Sequence, residues 1–170
     1  MIKTFFFDRD GVLIKNYGYV FEPTKVKWLK GSISAIKYLN KKKIKVAVIT
    51  NQSGIARGYF TENDLEKFNL FLNKNLKTYG AKIDDFFHCP YHPKAKIKKF
   101  RKRTQLRKPG NLMIKNILKS FSININKSFM IGDNQSDEIA AKKSNLKFFY
   151  SKNNFFTQIK EINMLINKIN

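Results

Sequence analysis

At 170 residues the chain can bury a full hydrophobic core, and its single cysteine, Cys89, excludes an internal disulfide. A composition of 42% hydrophobic and 27% charged residues suits a soluble globular protein. There is no bilayer-length apolar run and no signal-peptide layout after Met1, so a cytoplasmic location without a membrane partner is expected. The net charge of +22 invites a nucleic-acid partner. However, the excess is nearly all lysine and travels with abundant Asn, Ile and Phe, as an AT-rich coding sequence would produce. Only Lys94 to Lys108 is locally dense in charge, and Phe100 is its sole aromatic, too little for a base-stacking platform. Nucleic acid is therefore disfavoured.

Along the chain, Lys3 to Phe7 is an apolar, aromatic run that reads as a buried strand ending at Asp8. Ser32 to Lys43 carries Ile33, Ile36 and Leu39 at helical spacing, and Lys45 to Thr50 is a second, β-branched strand. Thr61 and Asp64 have the form of a capping box, opening a helix with Leu65, Phe68, Leu72 and Leu76 on one face and Gly80 as its stop. Phe86 to His88 reads as a short strand, Cys89 to Gly110 as a polar, basic connection, and Leu112 to Phe121 as a helix. Ser128 to Ile131 is another strand, Asp137 to Lys143 a helix and Lys147 to Tyr150 a last strand. Ile159, Ile162, Leu165, Ile166 and Ile169 suggest a closing helix. This alternation predicts an α/β fold with a doubly wound parallel sheet, as one domain over residues 1–170. Ligands in such folds bind outside the carboxyl ends of the strands, where Asp8, Thr50 and Asp133 all fall.

Asp8 and Asp10, two apart, face the same side if the segment is extended. Two such carboxylates need a cation or a shared proton, and a hard dication such as magnesium suits oxygen ligands. Asp8 can then attack phosphorus while Asp10 serves as acid and base. The bland alternative is a strand end with two turn aspartates, and an isolated Asp-x-Asp does not exclude it. Gly132 to Asp137 adds Asp133 and Asp137 after another strand, so four of only 12 acidic residues fall at two strand ends. Asp137 alone also fits a simple helix-start aspartate. Thr50 to Gly54 supplies hydroxyl, amide and backbone N–H donors, and Lys108 can offset the carboxylate charge near a phosphoryl group. Taken alone, Arg107 and Lys108 would read as a solvated basic loop, and Thr50 as a buried hydroxyl.

Together these motifs resemble the haloacid dehalogenase superfamily of aspartate-nucleophile phosphatases. Within it, the chain resembles the D-glycero-D-manno-heptose 1,7-bisphosphate 7-phosphatases and the related histidinol-phosphate phosphatases. The matching stretches are Asp8 to Gly11, Gly18 to Val20, Thr50 to Gly58 (TNQSGIARG), Phe60 to Glu62, Cys89 to Pro93, Arg107 to Pro109 and Gly132-Asp133. The resemblance implies a Rossmann-like sheet, and the motif spacing leaves no room for a large cap domain. It further implies Asp8 as nucleophile and magnesium ligand, Asp10 as acid and base with its carbonyl on the metal, and Asp133 as the remaining protein ligand. Thr50 and Lys108 would steady the phosphoryl group. Asn16, Tyr17, Gly18, Tyr19, Asn51, Gln52, Ser53, Arg107 and Asn134 would line the substrate pocket, with Asp137 behind the metal ligands. The family's zinc loop, Cys-x-His and then Cys-x-Cys before Arg-Lys-Pro, is broken here. Cys89 is kept, but Tyr91, Thr104 and Leu106 occupy the other ligand positions, and His92 matches a neighbouring, non-ligand one. Zinc in a structural site wants four N or S ligands, so no zinc is expected. The expected activity is removal of the 7-phosphate from a heptose bisphosphate by a monomer with a small phosphorylated sugar as its partner. Histidinol-phosphate phosphatase, polynucleotide 3′-phosphatase and a non-catalytic binding module on the same scaffold are the alternatives.

Overall fold

Residues 1–168 are described by a computed structural model. Strands β1 (Thr4–Phe7), β2 (Lys45–Asn51), β3 (Asp85–Cys89), β4 (Phe129–Gly132) and β5 (Lys147–Tyr150) form a parallel sheet in the order β3-β2-β1-β4-β5. Parallel strands covered on both faces read as continuous apolar runs, and the central β1 is buried at every residue. Phe5 and Phe7 join Val46, Val48, Phe129 and Ile131 on one face, packed under α1 (Ser32–Lys41) and α6 (Phe155–Lys168). Phe6 joins Ala47, Ile49 and Met130 on the other, under α4 (Leu112–Ser120) and α5 (Gln135–Lys142). The sheet is therefore doubly wound, as expected from the alternation of elements.

Two further helices lie between β2 and β3. The short α2 (Ser53–Arg57), inside the TNQSGIARG stretch, has no signature in apolar periodicity because five residues are too few to show one. The longer α3 (Glu62–Thr78) starts at the expected capping box: Asp64 N donates to Thr61 Oγ1 at 3.1 Å, and Thr61 N to Asp64 Oδ2 at 2.9 Å. The same device moves the start of α5. Asn134 is its N-cap and Asp137 its third residue, so the helix begins two residues before the predicted Asp137. Leu165, expected on the buried face of the closing helix, is 57% exposed, whereas Ile159, Ile162 and Ile166 are buried. Ile169 lies outside the described residues.

No large cap is inserted. The segments between β1 and α1 and between β3 and α4 hold loops and 3-10 turns at Pro23–Lys25 and Lys98–Phe100. Among the described residues, no helix is long and apolar enough to cross a membrane. The core and the cap make different demands on stability. Phe5→Ala should lower the unfolding free energy by about 3–5 kcal/mol, whereas Thr61→Ala should cost about 1 kcal/mol, both read from urea unfolding curves.

Candidate active site

The carboxyl ends of β1, β2 and β4 converge on a cleft of about 410 Å³. At its floor is Lys108, a fully desolvated ammonium. Its three N–H bonds donate to Asp8 Oδ1 at 2.9 Å, Asp137 Oδ1 at 2.6 Å and the Ile49 carbonyl at 2.8 Å. An ammonium has three donors, and all three are used. Burial works against its charge, but the Asp8 and Asp137 carboxylates outweigh burial and hold Lys108 above the ordinary lysine range. Asn51 fixes the lysine's backbone from β2. Its amide donates to the Lys108 carbonyl at 3.0 Å and accepts from the Lys108 N–H at 3.1 Å.

Asp8, Asp133 and Asp137 each place a carboxylate oxygen within 4.8 Å of the others, the one such acidic group among the described residues. Glycines permit this approach. A Cβ on Gly11, whose φ is +89°, would collide with the Asp133 carboxylate, and one on Gly132 would collide with Asp137. Burial, then the nearby Asp8, pushes Asp133 above the usual carboxylate range. Burial also raises Asp137, against the pull of Lys108. Three carboxylates against one ammonium leave an excess of two negative charges, so the donor chemistry suits a hard divalent cation, which Asp8 and Asp133 could hold. Asp137 is already held by Lys108 and by the Asn134 N–H at 3.1 Å, which places it behind those two.

Asp10 stands apart from that group. The chain bends at Arg9, and Asp10 itself, while still lining the same cleft as Asp8, forms an isolated bridge with Ile14. Its carboxylate accepts from Arg9 Nε at 3.1 Å, Arg9 Nη2 at 2.9 Å and Gln52 Nε2 at 2.9 Å. Gln52 also donates to Thr50 Oγ1 at 2.9 Å, tying the acid to the β2 hydroxyl. Arg9 was not singled out from sequence, yet it is wholly buried, stacks its guanidinium 5.0 Å from the Phe68 ring centroid and donates to the Val20 carbonyl at 2.7 Å. It therefore orients Asp10 and tethers the loop of Asn16 to Val20. The readable signal was an arginine between two functional aspartates.

Of the expected pocket residues, Asn16, Gly18, Tyr19, Asn51, Gln52, Ser53, Arg107 and Asn134 line the cleft. Tyr17 does not; it is 54% exposed, with the Lys15 ammonium 5.0 Å from its ring centroid. Ser136 lines the cleft and was missed. Arg57 was missed as well. It packs against Tyr19 at 5.9 Å, near enough to Arg107 for its charge, added to burial, to lower Arg107 from its ordinary value. Neither arginine has a carboxylate partner among the described ion pairs. Because Arg9 is buried against one carboxylate, Arg9→Met should lower stability by about 3–5 kcal/mol, measured by urea unfolding, and leave Asp10 unoriented.

The family model described as polynucleotide kinase 3 phosphatase matches residues 3–166. The D-glycero-β-D-manno-heptose-1,7-bisphosphate 7-phosphatase of Rhodopseudomonas palustris is 40% identical over 144 residues, covering 85% of this chain and 80% of that protein. The enzyme of that name from Escherichia coli K12 is 34% identical over 145 residues, covering 85% and 76% respectively. The crystal structure of a D,D-heptose 1,7-bisphosphate phosphatase from B. bronchiseptica, complexed with magnesium and phosphate, superposes with a TM-score of 0.81 at 23% identity, over 99% of this chain and 98% of that one. The chain is a phosphatase, and it belongs to the D-glycero-D-manno-heptose 1,7-bisphosphate 7-phosphatase family.

Proposed function

We propose that this protein is a magnesium-dependent phosphatase that removes the 7-phosphate of a heptose 1,7-bisphosphate through an aspartyl phosphate on Asp8. The carrying observation is the Lys108 ammonium bridging Asp8 and Asp137 at the floor of a cleft that Arg107 also lines. Lys108 engages Asp8 Oδ1 and so leaves Oδ2 free of that ion pair to attack phosphorus. The ester oxygen leaves with a proton from Asp10. Asp10 then takes a proton from water, whose oxygen attacks the same phosphorus, and inorganic phosphate departs with Asp8 restored. Thr50, bonded to Gln52, and the Ser53 hydroxyl offer neutral donors to the phosphoryl oxygens. Asp8, Asp133 and the Asp10 carbonyl would hold a magnesium ion, which would supply positive charge to offset that of an anionic ester and an anionic nucleophile.

The rest of the cleft suits the substrate's other end. Asn16, Gly18 and Tyr19 offer polar contacts to a sugar, and Arg107 with Arg57 presents two cations to a second phosphate. A volume of about 410 Å³ fits a small phosphorylated molecule. A second reading, release of phosphate from 3′ ends of nucleic acid, draws on the name of the matched family model and on the segment from Phe86 to Gly132, which contains no Asp or Glu.

The deciding assay is phosphate release with and without magnesium. Substrates are heptose 1,7-bisphosphate, histidinol phosphate and a 3′-phosphorylated oligonucleotide. The heptose bisphosphate should give the highest kcat/KM, and chelation by EDTA should abolish release until magnesium is restored. Preference for the oligonucleotide, with a steep salt dependence, would replace this reading by the second. Asp8→Asn keeps the shape and removes the nucleophile, so its turnover should fall by at least about 10⁴-fold; turnover at the wild-type rate would refute the covalent mechanism.

A further inference from the structure

The four positions where related phosphatases are expected to hold zinc do other work here. Cys89 is buried at the end of β3, where its thiol donates to the Tyr91 carbonyl at 4.0 Å. Burial raises its pKa, the opposite of what a thiolate ligand needs. The Tyr91 side chain packs with Phe100, ring centroids 6.0 Å apart, into a cluster with Ile55, Ala56 and Phe60. The Lys102 ammonium covers the outer face of the Tyr91 ring at 3.8 Å. Leu106 packs into a different cluster, the one beneath α4. Thr104 closes a turn, its hydroxyl accepting from Leu106 N at 3.1 Å and its carbonyl from Arg107 N at 3.3 Å. One thiol with Tyr, Thr and Leu is not a zinc donor set.

Backbone and guanidinium bonds complete the arrangement. Ile97 N donates to the Ala56 carbonyl at 3.0 Å, which fastens the loop to α2. Arg101 Nε donates to the Ala95 carbonyl at 2.7 Å, and its Nη2 to the Lys96 carbonyl at 3.3 Å. Arg107 Nη1 in turn donates to the Tyr91 carbonyl at 3.5 Å. The cleft arginine thus leans on the very residue that the aromatic cluster holds in place.

We infer that Tyr91, Phe100 and Arg101 form a metal-free clasp that positions Arg107 for the second phosphate of the substrate. These are positioning residues; none lines the cleft. The clasp rests on the proposed bisphosphatase activity for its kinetic readout, but its metal readout stands alone. Lys108 is held independently by Asn51, Asp8 and Asp137, so loosening the clasp should disturb substrate binding and spare the chemical step.

The test uses the full chain. Its zinc content is measured by mass spectrometry, its thermal melt is followed with and without a zinc-selective chelator, and kinetics are run in magnesium on heptose 1,7-bisphosphate and on p-nitrophenyl phosphate. Zinc well below one equivalent and an unchanged melt are expected. Phe100→Ala should raise KM for the bisphosphate about tenfold, with kcat within about twofold of wild type. Its kcat/KM on p-nitrophenyl phosphate should be unaltered, and Tyr91→Phe, which keeps the ring, should match wild type. Should Phe100→Ala not fold, the exposed Arg101→Gln should give the same split, about threefold in KM. One zinc per chain, a melt lowered by the chelator, or a folded variant whose KM is unchanged or whose kcat falls as far as KM rises would overturn the clasp. If wild type ignores the bisphosphate altogether, the proposed function fails, and the zinc content and melt still decide the clasp.

Discussion

A buried ammonium is expensive unless every one of its donors is met, and Lys108 meets all three with groups from three different elements. Asp8 follows β1, the Ile49 carbonyl belongs to β2, and Asp137 sits in the first turn of α5. The side chain therefore closes the carboxyl ends of the central strands upon one another. It also brings a cation to the one place where an excess of carboxylates would otherwise repel. Truncating it would leave two buried aspartates without a counter-charge, a penalty on both stability and chemistry. Asn51 pins the same residue's backbone, so the ammonium is aimed from both ends of its chain.

Around that centre the packing serves close approach. Gly11 and Gly132 lack the Cβ atoms that would drive Asp133 and Asp137 away. Arg9 plays the matching part for Asp10: a second buried cation, paired to one carboxylate and fastened to Val20, so that the acid and the loop beside it share one anchor. The two buried cations separate the tasks. Lys108 serves Asp8 and Arg9 serves Asp10, so these two carboxylates do not compete for a single counter-charge.

Much of this was legible in the residues. β1 could be read from Phe5-Phe6-Phe7 because a strand buried on both faces needs no alternation, and α3 from its capping box and four apolar positions. The placement of Asp8, Thr50 and Asp133 at strand ends was readable from the alternation of elements, whereas Lys108, in a loop, stood out only through the family resemblance. What escaped notice depends on tertiary neighbours. Arg9 becomes a core residue only through Phe68 and Val20, which are distant in sequence. Arg57 comes up against Tyr19 only because five residues curl into α2. Asp10 falls outside the Asp8 carboxylate group across a bend at Arg9, which no periodicity records. Tyr17 turned outward for a similar reason: Gly18 and Tyr19 both take positive φ, at 78° and 52°, so the alternation of an extended loop does not apply.

The loop from Cys89 to Leu106 shows how packing can do mechanical work that a metal ion does in other loops. A tetrahedral ion ties four points of a loop together by short, directional bonds. Here the same four points are tied to different bodies: Cys89 to the sheet, Tyr91 to the α2 cluster, Thr104 to its own turn and Leu106 to the core under α4. Such an arrangement is held by area rather than by ligand bonds, and dispersed apolar contacts yield more readily to a changed side chain than a closed coordination shell does. Lys108 is insulated from that softness by its ion pairs and by Asn51, but Arg107, one residue earlier, is not. The boundary between a fixed and an adjustable side chain therefore falls between two adjacent residues of the same turn.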